Sequence, residues 1–140
     1  MTPDQQKNLS KWKSVAEANG VLDLLNTFIA FGEATGGHIK PNESKSIAIH
    51  YIEKPSQSLG RWCFSCFPKK STSDNGLYIN ISYTNIFQAL HNPFVQEIVS
   101  KFPFASQSGQ NDRNTYQPIY IKDKENLKIL FEKITQKTLS

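Results

Sequence analysis

The sequence predicts an α+β domain: an antiparallel sheet of three to four strands, a meander plus one later strand, with helices packed mainly on one face. Three observations predict it. Apolar residues recur at helical spacing up to residue 35, switch to a period of two between residues 46 and 83, and then return to helical spacing. The period-two segments are rich in β-branched and aromatic side chains. Stretches of proline, serine, asparagine and glycine separate them, as a meander requires.

The first helix starts at Thr2-Pro3-Asp4-Gln5, with Thr2 as N-cap, Pro3 in the first helical position and Gln5 completing a capping box. Trp12, Val15 and Ala16 form its apolar stripe, and Asn19-Gly20 stops it because both residues tolerate positive φ. The second helix carries Val21, Leu22, Leu24, Leu25, Phe28, Ile29 and Phe31, is apolar around much of its circumference and should be the central buried helix. Gly36-Gly37 ends it. The expected strands are residues 46–52, 61–67 and 77–83, with Asp74-Asn75-Gly76 as the turn before the third.

Helical spacing returns with Ile86, Phe87 and Leu90. Asn92-Pro93 restarts a helix that carries Phe94, Val95, Ile98, Val99 and Phe102, and Pro103 ends it. Residues 105–117 hold little to bury and read as a long loop. Residues 118–121 read as a short strand, placed at a sheet edge by Pro118. Asp123 caps a last helix with a Leu127, Leu130, Phe131 and Ile134 stripe; Lys124, Lys128, Lys133 and Lys137 flank it as solubilising cations. No repeat or linker interrupts the chain, so residues 1–140 read as one domain.

At 140 residues the chain fits a single domain of about 100–200 residues. A composition of 38% hydrophobic and 20% charged residues excludes a disordered chain. The sequence has no 18-residue apolar run, and residues 1–13 lack the apolar stretch of a signal peptide. Two cysteines make no disulfide framework. The expectation is a small soluble cytoplasmic domain with no membrane contact. The net charge of +4 is uneven: residues 1–60 are balanced, and residues 61–140 hold ten basic and six acidic side chains. Such a bias suits an acidic partner such as nucleic acid, or simply a lysine-rich solvated surface.

Alternation divides the sheet into two faces. One takes Ile47, Ile49, Tyr51, Trp62, Phe64, Cys66, Leu77, Ile79, Ile81 and Tyr83 and should meet the helices. The other takes Ala48, His50, Ile52, Arg61, Cys63, Ser65, Phe67, Tyr78, Asn80 and Ser82, which sets aromatic rings beside hydrogen-bonding groups and a cation. Such a face is a platform on which bases can stack, although antiparallel sheets commonly wet one face without binding anything.

The Cys63-Phe64-Ser65-Cys66 run has C-x-x-C spacing, but the two cysteines lie within a strand and should point to opposite faces. That argues against zinc and redox chemistry and makes Cys66 a core residue and Cys63 a half-exposed one. His38 reads as part of a loop and His91 as a helix junction. Glu53-Lys54 lacks the spacing of a nuclease motif, and neither a nucleophile elbow nor a phosphate-cradling glycine loop is present. The reading is therefore a binding module rather than an enzyme, with no cofactor and no metal. Arg61, Lys54, Lys69, Lys70 and Arg113 are the cations expected at phosphates. Trp62, Phe67 and Tyr78 are the stacking candidates, Trp62 against its own alternation; His50 and Asn80 are the hydrogen-bonding groups. The alternative is a protein-interaction domain of inhibitor, immunity or assembly type, using the same face with its aromatics and Arg61 as anchors.

Overall fold

The capping box at the N-terminus forms as its residues dictate. In the computed structural model, which describes residues 1–52, 61–105 and 115–140, Thr2 Oγ1 accepts the Gln5 N–H at 3.1 Å and the Gln5 side chain accepts the Thr2 N–H at 3.1 Å. Helix α1 (Pro3–Ala18) buries Trp12 and Ala16. Gly20, at φ +76°, turns the chain into α2 (Leu22–Ala34), which buries Leu25, Phe28, Ile29 and Gly32.

Five strands follow, and they pair in chain order, every neighbour antiparallel: β1 (His38–Pro41), β2 (Ile47–Tyr51), β3 (Arg61–Cys66), β4 (Leu77–Ser82) and β5 (Tyr116–Ile121). Between β3 and β4 runs a single 3-10 turn, Pro68–Lys70. The helices α3 (Tyr83–Leu90) and α4 (Val95–Val99) separate β4 from β5, and α5 (Lys124–Thr135) closes the chain, capped by the Asp123 carboxylate on the Asn126 N–H at 2.8 Å.

The architecture is the expected one with one strand more. The addition is β1, four residues around His38, which is a strand residue and not part of a loop. Strand β5 starts at Tyr116, within the segment expected to be loop. Tyr83 opens α3 instead of closing β4, because the Ser82 hydroxyl caps that helix by accepting the Asn85 N–H. Pro118 lies in β5 with its carbonyl turned away from β4, accepting the Ala105 N–H at 3.0 Å. Its missing N–H therefore costs the β4–β5 ladder nothing.

One core lies between the helices and the inner sheet face. Ile47, Ile49, Phe64, Cys66, Leu77, Ile79, Ile81 and Ile119 are fully buried there against Trp12, Leu25, Phe28, Leu127, Leu130, Phe131 and Ile134. Phe131 stacks on Phe64 with ring centroids 4.5 Å apart and meets Phe28 and Phe31 edge-on at 5.8 and 5.9 Å. Asn92 ties the helical layer together. Its amide donates to the Lys133 and Ile134 carbonyls near the end of α5, and its Oδ1 accepts the Phe94 N–H. No helix among the described residues is long and apolar enough to cross a membrane.

One irregularity changes which side chains the sheet presents. Ile49 is opposite Phe64, but His50 is opposite Trp62, so Cys63 is the extra residue of a β-bulge. Residues directly opposite share a face. Trp62 therefore joins His50 on the outer face, and Arg61, opposite Tyr51, shares the inner side at the exposed start of β3. Cys63 is fully buried and belongs to the core. Strict alternation assigned all three residues to the wrong face, because a single inserted residue reverses the parity of everything before it.

Candidate functional site

The register resolves the outer face into three rows running across the strands. The first is Asn42, Ser46, Phe67, Tyr78 and Tyr120; the second Lys40, Ala48, Ser65, Asn80 and Pro118; the third holds His38, His50 and Trp62 on one side and Ser82 and Tyr116 on the other. Rows within a strand are two residues apart, about 6.8 Å.

The first row is an aromatic wall. Phe67 meets Tyr78 and Tyr78 meets Tyr120, both edge-on with centroids 5.5 Å apart. The Phe67 N–H and the Ser71 hydroxyl fasten the Tyr78 backbone: Phe67 donates to its carbonyl at 3.0 Å, and Ser71 Oγ accepts its N–H at 2.8 Å. Tyr120 donates its N–H outward to the Pro103 carbonyl, so Tyr78 and Tyr120 are a non-hydrogen-bonded pair, the kind whose side chains stand closest. Burial raises the Tyr78 phenol pKa, and the neighbouring Tyr120 and Tyr116 raise it further. Lys70 Nζ lies over both the Phe67 and the Tyr78 rings, at 5.6 and 5.1 Å.

The second row is a floor of shorter side chains. Ala48 and Ser65 are buried there. Asn80 is the polar centre of the floor. Its Oδ1 is shut off from solvent and accepts no hydrogen bond. An amide oxygen in that state normally has a partner, and going without one costs about 1–3 kcal/mol. On the far side, Trp62 and His50 stand half-buried, held from behind by the Asn85 amide, which donates to the Trp62 carbonyl at 2.8 Å.

Six of the residues expected at a contact surface come together here: Trp62, Phe67, Tyr78, Asn80, His50 and Lys70. Lys69 turns the other way, its Nζ 5.6 Å from the Trp12 ring on the α1 side. Arg61 projects from the inner side of β3. Lys54 and Arg113 lie outside the described residues. Sequence reasoning missed Tyr116, Tyr120 and Lys40. The first two alternate with Ile119 and Ile121, a period-two pattern that was there to be read; Lys40 was hidden because β1 itself was.

The C-x-x-C pair is not opposed across the sheet. Cys63 and Cys66 are both free and both buried on the core side. Burial pushes the Cys63 thiol up to about 12, partly offset by a backbone hydrogen bond, and raises Cys66 well above its ordinary value. Such thiols are protonated and unreactive near neutral pH. Beside Cys63, the Tyr51 hydroxyl is 2.6 Å from Thr35 Oγ1, and burial raises its pKa too.

Two cavities lie apart from the three rows or at their margin. One, of about 380 Å³, opens beside β1 and is lined by Glu33, His38, Lys40 and His50. The other, of about 240 Å³, lies between α3 and α4 around Phe87, Asn92 and Val95. Among the described residues, no three of the histidine, cysteine and acidic side chains gather as a metal-holding group. Comparison of the chain with family models, with curated proteins and with solved structures finds no match in any of the three.

Proposed function

We propose that this protein is a binding module for single-stranded nucleic acid, which it takes on the outer sheet face. Bases stack on Phe67, Tyr120 and Trp62, whose rings keep part of their surface exposed. The half-buried Asn80 offers its amide nitrogen to a base edge, and Lys70 over the first row and Lys40 in the second neutralise phosphates. The observation that carries this reading is the row of rings, Phe67, Tyr78 and Tyr120, with the Lys70 ammonium over two of them. A cation set against a ring-lined face suits a flat ligand that carries a phosphate. Every base has a face to stack, and stacking contributes about 1–3 kcal/mol per base.

Tryptophan fluorescence tests the reading directly. The chain has two tryptophans, and Trp12 is fully buried. Titration with a short single-stranded oligonucleotide should quench the Trp62 component, less so as salt rises, and Trp62→Phe should abolish the quench. Unchanged emission at every oligonucleotide concentration would remove this function.

A protein-interaction role is the second reading, favoured by the exposure of Phe87 (54%) and Phe94 (59%) in the helical layer. Replacing both with serine would abolish a protein contact of that kind and leave oligonucleotide binding intact. The absorbance ratio of the purified chain separates the two readings at once, because only the first brings nucleic acid with it.

A further inference from the structure

The outer face ends at Lys70, but the positive charge does not. Lys70 is the last residue of the Pro68–Lys70 turn, which packs against α1. From that turn Lys70 reaches one way, over Tyr78, and Lys69 reaches the other, over Trp12. Lys11 of α1 approaches the same Trp12 ring, with its Nζ 4.5 Å from the centroid. The Lys11 and Lys69 ammonium groups are thus no farther apart than their two distances to that ring combined. Trp12 is itself fixed, its indole N–H donated to the Asn42 carbonyl at 2.6 Å, so both ammonium groups lie near one anchored ring.

All three lysines are exposed, and none has a carboxylate within ion-pair distance among the described residues. Lys11 donates to the backbone carbonyl of Glu43 at 2.8 Å, a contact that positions its ammonium without neutralising it. Elsewhere among those residues Lys124 does pair with a carboxylate, that of Asp23, at 2.8 Å. Three uncompensated cations in a row, one of them shared with the aromatic wall, make a continuous path from the face round to the helical side.

We propose that Lys70, Lys69 and Lys11 form a phosphate track, along which the backbone of a bound single strand leaves the aromatic wall and crosses the Pro68–Lys70 turn towards α1. This rests on the binding face described above and adds a direction to it. A strand just long enough to fill the face would not reach Lys11. A longer one would, and each lysine would then release one condensed counterion.

The test compares two fluorescent single-stranded oligonucleotides, one of about four nucleotides and one of about twelve, both within the ~4–16 nucleotide footprint of single-strand binders. Anisotropy titrations on the full chain would use the wild type, Lys11→Gln, Lys69→Gln and Lys11→Arg, with thermal melts to confirm that each folds. Lys11→Gln should weaken the longer strand roughly fivefold near 0.1 M salt and reduce its log–log salt slope by about 0.7. Lys69→Gln should do the same, the shorter strand should bind as before, and Lys11→Arg should restore the loss. If the wild type binds both strands and Lys11→Gln changes neither, or weakens both equally, the track is wrong and the face stands. If the wild type binds neither strand, face and track fall together.

Discussion

Asn80 is where stability and binding pull apart. Valine in its place would supply the β-branched side chain that suits a strand and remove an acceptor that has no partner. Asn80→Val should therefore stabilise the fold by about 1 kcal/mol in urea denaturation while weakening oligonucleotide binding. Loss of stability on that change would mean that the amide has a structural partner after all. Cys63 gives a prediction of opposite character. Its thiol, raised to about 12, keeps its proton in the fold after the unfolded chain has lost it. Across that window the unfolded state binds fewer protons, so stability should fall as pH rises from about 9 towards 12, by up to about 1.4 kcal/mol per pH unit. Near neutral pH a thiol reagent should label neither cysteine until the protein unfolds. Of the site residues, Phe67, Tyr78, Asn80 and His50 were legible from alternation alone. Trp62 and Arg61 were not, because the bulge at Cys63 leaves no signature in a run of strand-forming residues.

At the level of the elements, helices and long strands announce themselves and short pieces do not. The Thr2 capping box, the Asp123 cap and the Leu127 to Ile134 stripe each predict their helix because several local signals agree. Strand β1 has one inward apolar residue, Ile39, and a terminal proline, too little for a period to show; its place is set by the tertiary partner β2. The same elements rank the core. Phe131 touches Phe28, Phe31 and Phe64, so Phe131→Ala should cost about 3–5 kcal/mol. Gly76 sits at φ +94°, where an added Cβ would run into the backbone carbonyl of Ile121. Gly76→Ala should thus destabilise by at least about 1–3 kcal/mol, because backbone cannot move aside as a side-chain tip can. Both effects are read from chemical denaturation, and a loss below 1 kcal/mol for either would contradict the packing described.

For the molecule as a whole, the division of labour between its two sheet faces is the central matter. The inner face is committed to the helices through one continuous core. The outer face carries rings, a floor of small and polar side chains, and a rim cation that continues into Lys69 and Lys11. The charge asymmetry visible in the sequence is real in number but not in grouping: of the cations expected together, Lys70 stays on the face while Lys69 and Arg61 leave it. Stacking should accordingly carry more of the affinity than charge does, and a measurable share of binding should survive at high salt. The most direct test is a nuclear magnetic resonance titration of the 15N-labelled chain with a single-stranded oligonucleotide. The amides of His50, Trp62, Ser65, Phe67, Tyr78, Asn80 and Tyr120 should shift together and saturate at one concentration, while those of α2 and α5 stay still. Shifts gathered instead around Phe87 and Phe94, or none at all, would contradict the assignment of binding to the outer face.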